Sequence, residues 1–148
     1  MTSLDRLLFP AAIVLALSAS ACGKTAEQTL NSINDNGVFK FDVTSFTVKA
    51  GQKVHVVVKN NETMPNMFHN FTLVRPGTEA AVANAGLTAG EISAYVKPND
   101  PNVIATTSLA KPGAPADVTF TAPEKGSYPY ICTFPGHYMT MKGTLTVE

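Results

Sequence analysis

The chain has no tryptophan, only two cysteines and only three histidines in 148 residues, and its eleven basic side chains are matched by eleven acidic ones. Each shortage excludes something. Balanced charge with no basic stripe removes the electrostatic footprint of a nucleic-acid binder. It also implies that any partner docks through apolar contacts rather than being steered by a strong field. With two cysteines, Cys22–Cys132 is the one bridge that could form, and a position beside a cleavage site argues against it for Cys22. Long apolar runs are missing too. The stretch from Leu7 to Leu17 follows a polar start with Arg6 and ends in Ala19-Ser20-Ala21, which is too short to span a bilayer and reads as an export signal over residues 1–21.

Cys22 follows that small-residue site directly, so cleavage at the same bond is expected either from an ordinary export signal or from a lipobox whose Cys22 becomes lipidated. The polar residues 22–36 are expected to form a flexible tether. In both cases the mature chain is exported, either periplasmic or anchored by lipid outside the cytoplasmic membrane, where disulfides are permitted. An unpaired Cys132 there needs protection, and metal ligation is one way to provide it.

The remainder, residues 37–148, suits one domain with one core. Ten glycines, ten prolines and frequent Val, Thr and Phe favour a β-rich chain with many turns. Val54, Val56 and Val58 alternate with His55, Val57 and Lys59, the period of a half-buried strand. Further strands are expected in VFKFDV, SFTVK, FHNFTLV, DVTFTAP, GSYPYICTF and GTLTVE. One short helix is expected in TEAAVANAG, with Thr78 capping it, Glu79 in its first turn and Gly86 ending it. The fold class is therefore all-β: a Greek-key sandwich or barrel with one helical excursion.

One segment is crowded with chemistry. In CTFPGHYMTM, Cys132 precedes His137 by five positions across Pro135-Gly136, and Met139 and Met141 follow. Thiolate and imidazole together suit copper or zinc, and a thioether is a ligand copper accepts. A trigonal site with two histidines and a cysteine, and a distant methionine, is the geometry of an electron-transfer copper centre. A second histidine must come from elsewhere. His69 opens a strand after a loop, with Asn70 beside it to orient the cysteine loop. His55 lies in mid-strand and reads as a surface or half-buried histidine.

These residues resemble the blue copper proteins, the cupredoxins. CTFPGHYMTMKGTLTV is similar to the copper loop of azurins and auracyanins, with cysteine, four residues, histidine, three residues and methionine; FHNFTLV resembles their upstream His-Asn strand. The resemblance implies one copper ion per chain held by His69, Cys132 and His137, with Met141 axial. It places Asn70 and Thr133 behind those ligands and leaves Met139 as a rim or packing residue. Phe68 stands where azurins have glycine, and the azurin disulfide has no cysteines here.

The function so implied is single-electron transfer by a monomer, not catalysis, with protein donors and acceptors docking on an apolar rim of Pro65, Met67, Phe134 and Pro135 near His137. Met64 could join that rim or cap the end of the sandwich. The alternative is an exported copper carrier that exchanges ions, suggested by Met64, Met67, Met139 and Met141.

Overall fold

A computed structural model describes residues 23–148. The export signal and Cys22 lie outside the described residues. Nine strands form two sheets: β1 (Ala26–Asp35), β2 (Val38–Phe41), β3 (Ser45–Val48), β4 (Lys53–Lys59), β5 (Thr72–Val74), β6 (Val103–Thr106), β7 (Pro115–Thr121), β8 (Gly126–Ile131) and β9 (Lys142–Val147). One sheet has the order β2-β1-β4-β7 and the other β3-β9-β8-β5-β6. The core lies between them.

The valine alternation in β4 has the expected consequence. Val54, Val56 and Val58 are fully buried and share one core cluster with Leu30, Phe71, Leu73, Tyr130 and Leu145. Each such side chain contributes roughly 1.5–3 kcal/mol by leaving water. Tyr130 carries a hydroxyl into this core and donates it to the Val43 carbonyl at 2.7 Å. Gly143 lies against that ring, and a Cβ there would meet Tyr130 Cζ at 2.2 Å.

Three expectations need correction. Most of the expected tether is strand β1, which pairs in parallel with β4 from Ala26↔Val54 to Asn31↔Lys59 and antiparallel with β2. Leu30 and Ser32 are buried there, so a polar-looking stretch still places alternate residues inward. Helix α1 runs Glu79–Ala89, past Gly86, and stops at Gly90 with φ 75°. Thr78 makes no side-chain cap; its hydroxyl donates to the Arg75 carbonyl instead. Gly86 does not end the helix: the left-handed φ of a glycine terminator falls at Gly90 instead, whose N–H donates to the Gly86 carbonyl at 3.0 Å.

His55 is half-buried on the outer face of β4, between Glu27 of β1 and Asp117 of β7 at 2.6 and 3.1 Å. Hydrogen bonds to both carboxylates raise its pKa. It ties three strands together at their solvent face.

Candidate metal centre

The centre is built at one end of the sandwich, where β4, β5 and β8 finish or begin. His69 precedes β5 and is pinned by a two-way backbone bridge to Ala110, with its N–H donating at 3.2 Å and its carbonyl accepting at 2.7 Å. Asn60, buried just past β4, donates to the carbonyls of Ala110 and Met67, both at 2.8 Å. That side chain fixes the loop ahead of His69.

Cys132 follows β8, and the chain turns at once. Phe134 to His137 form a turn closed by the His137 N–H on the Phe134 carbonyl at 3.0 Å, with Pro135 second and Gly136 third at φ 85°. Proline pre-sets the second position and glycine tolerates the positive φ of the third, the requirement of a type II turn. The Met141 N–H then returns to the His137 carbonyl at 2.8 Å, and the Cys132 N–H donates to the Met141 carbonyl at 2.9 Å. The loop is thus closed on itself, with Met141 fully buried beside Cys132 and Met139 60% exposed.

Three donor atoms converge. His69 Nδ1 lies 3.9 Å and His137 Nδ1 3.7 Å from Cys132 Sγ, and all three donors lie within 4.8 Å of one another. A nitrogen and a sulfur bound to one metal at about 2.0–2.1 and 2.3 Å, with about 120° between them, stand about 3.8 Å apart. The observed separations match that value and are long for direct sulfur–nitrogen hydrogen bonds. The residues fit a bound ion.

Electrostatics agree. Burial, with the neighbouring His137 adding to it, lowers the His69 pKa to about 3, and burial lowers that of His137 to about 4. Both imidazoles are therefore neutral at pH 7, with lone pairs free to ligate. Burial pushes the Cys132 thiol up to about 12, against the opposing effect of the Asn70 and Phe134 backbone N–H groups. A metal entering here must displace that proton.

Behind the donors, the Asn70 carboxamide accepts from the Thr133 N–H at 2.8 Å and donates to Thr133 Oγ1 at 2.7 Å. This joins the residue after His69 to the residue after Cys132. Phe39 of β2 packs on both imidazoles, at 4.7 Å from His137 and 5.5 Å from His69. His137 keeps 6% of its surface exposed and His69 none. Half-buried Phe134 packs on the His137 imidazole at 4.8 Å; of the other expected rim residues, Pro65 and Pro135 are exposed and Met67 is half-buried. Neither Asn60 nor Phe39 is marked as a site residue by the sequence. An Asn after a valine run and a Phe in an edge strand carry no local mark of a site.

The two-sheet fold with a buried His-Cys-His cluster at one end defines a copper protein of the cupredoxin type, and the chain belongs to the copper binding proteins of the plastocyanin/azurin family, whose profile matches residues 27–148. It is 49% identical to auracyanin-A of Chloroflexus aurantiacus over 110 residues, 73% of this chain and 67% of the relative. Auracyanin-B of the same organism is 36% identical over 132 residues, 87% of this chain, which spans little more than half (56%) of that relative. Azurin of Achromobacter denitrificans is 32% identical over 148 residues, covering 96% of this chain and 99% of the relative. Among solved structures, auracyanin A, described as a "blue" copper protein, superposes with a TM-score of 0.77 at 42% identity, covering 84% of this chain and all of that one.

Proposed function

We propose that the chain is a mononuclear copper electron carrier in which His69 Nδ1, His137 Nδ1 and Cys132 Sγ would hold one ion, with the buried Met141 thioether as a further, weaker donor. Copper in such a set supplies one-electron exchange between Cu(I) and Cu(II) with little rearrangement of its ligands. The observation that carries the reading is the convergence of three buried donors at metal-binding separations on Cys132. The chain's own residues do the rest. Burial keeps both imidazoles neutral, the Asn70–Thr133 hydrogen bonds hold the two donor-bearing segments together, and Phe39 shields the rings from water.

Electrons would pass through the slightly exposed edge of His137, with Pro65, Met67, Phe134 and Pro135 forming the apolar rim on which redox proteins dock. A monomer suffices for this. A buried donor set leaves no room for substrate, so the role is carriage rather than catalysis. Ion exchange, the alternative, is disfavoured because the donor atoms lie beneath the surface and Met64 and Met139 are the only exposed thioethers among the described residues. The chain works after export, in the periplasm or held at a membrane through a lipid on Cys22.

The test is the visible spectrum of residues 23–148 with one equivalent of Cu(II), before and after reductant. An intense thiolate-to-copper band that bleaches and returns with oxidant is expected; a colourless complex would overturn the reading.

A further inference from the structure

The excursion between β5 and β6 turns back on the metal centre through two residues. After a single 3-10 turn (Glu91–Ser93), Ala94 and Tyr95 both adopt φ 54°, consecutive non-glycine residues in the left-handed region. Such conformations are unfavourable and persist only where the surroundings hold them. Here they are held from within by the Ala94 N–H on the Glu91 carbonyl (2.8 Å) and the Tyr95 N–H on the Gly90 carbonyl (2.9 Å).

What the conformation achieves is on the other side. The Ala94 carbonyl accepts from Asn70 Nδ2 at 2.8 Å and from Thr133 Oγ1 at 3.3 Å. One carbonyl thus completes the hydrogen bonds of both residues that follow donors: Asn70 after His69 and Thr133 after Cys132. The next residue reaches the third donor. The Tyr95 ring meets Phe134 edge-on at 5.4 Å, and Phe134 packs on the His137 imidazole at 4.8 Å. Gly86 of α1 sets the position of this turn, since a Cβ there would fall 1.9 Å from the Tyr95 carbonyl oxygen.

We infer that Ala94 and Tyr95, seated on Gly86, are positioning residues for the metal centre, bracing all three donor-bearing segments at their metal-binding separations before any ion is present. This rests on the copper reading of the site. The excursion, whose length the sandwich does not need in order to close its sheets, is a support for the donor loop.

The test compares Tyr95→Phe, which keeps the ring, with Tyr95→Gly, which removes it while relieving the backbone strain, and with Gly86→Ala. In copper-free protein, amide exchange at Thr133 is measured; in copper-loaded protein, the position of the thiolate-to-copper band is measured. Exchange about tenfold faster is expected for Tyr95→Gly and Gly86→Ala, an opening free energy lower by about 1.4 kcal/mol. A displaced band is expected in both, with Tyr95→Phe like the parent in both readouts. Should Gly86→Ala fail to fold, the two Tyr95 variants decide alone. Parent-like exchange in Tyr95→Gly overturns the inference, and so does faster exchange with an unmoved band, which would make the turn a structural prop only. Absence of the band in the parent protein would instead overturn the copper reading.

Discussion

Phe39 and His137 pack with ring centroids 4.7 Å apart and planes 31° from parallel, so a residue of the β2 edge strand covers an imidazole of the metal centre. The same ring lies 5.5 Å from His69, whose buried Nε2 has no hydrogen-bond partner among the described residues. Replacing Phe39 by Ala admits water to both rings. A water accepting from the ligand N–H raises imidazole basicity and favours Cu(II). The reduction potential is therefore expected to fall in Phe39→Ala and to fall less in Phe39→Leu, read by voltammetry. Equal potentials in all three proteins would show that the cover is immaterial.

Cys132→Ser removes the soft donor on which both histidines converge. The intense visible band should vanish, and Cu(II) should bind weakly or not at all by titration. A variant that remained blue would reassign the thiolate.

Met141→Leu keeps an apolar side chain of similar size in the buried position and deletes the sulfur. Copper should remain bound at a higher reduction potential, because losing a donor disfavours Cu(II). Met139, exposed at 60%, should show no such shift when changed to Leu. Reversal of the two results would make Met139 the axial donor.

Acid should destabilise the copper-free protein through the site itself. His69 and His137 titrate near 3 and 4 when folded and near 6.5 when unfolded. Between those values the unfolded chain binds more protons, so stability is full above about pH 6.5 and declines as pH falls toward 3. Urea denaturation across that range should show the decline, and the His69→Leu/His137→Leu double variant should lose much of it. An equal slope in that variant would place the acid sensitivity elsewhere.

Gly143→Ala drives a methyl group into the Tyr130 ring, and overpacking of this kind costs about 1–3 kcal/mol. Chemical denaturation should show that loss. Tyr130→Phe, which removes only the hydroxyl donated to Val43, should cost about 0.5–1.5 kcal/mol. A neutral Gly143→Ala would mean that β9 can shift without penalty.

The alternation in β4 and the spacing from Cys132 to His137 were legible because strand period and turn chemistry are local. Val54, Val56 and Val58 had one periodic explanation, and Pro135-Gly136 had one turn to make. The donor cluster was legible for a second reason, the scarcity of histidine. What escaped was non-local. Residues 26–35 look like polar linker because β1 lies inside its sheet and draws its hydrogen bonds from β2 and β4, which no window along the sequence contains. Gly86 looks like a helix terminator until the Tyr95 carbonyl is placed against it. Phe39, Asn60 and Ala94 reach the centre from three separate segments, and their backbone or ring chemistry is ordinary out of that context.

The parallel pairing of β1 with β4 also gives the molecule a polarity. β4 runs toward the metal end, since Asn60 just beyond it clamps the loop leading to His69. Strand β1 runs the same way, so the chain enters at the opposite pole, where Gln52 Nε2 donates to the Lys24 carbonyl. Only residues 23–25 precede β1 among those described, a reach of about 10 Å at full extension. A lipid on Cys22 would therefore act as a short stalk, seating the protein base-down on the bilayer. The His137 edge would face outward, toward partners arriving from solution rather than those embedded beneath it.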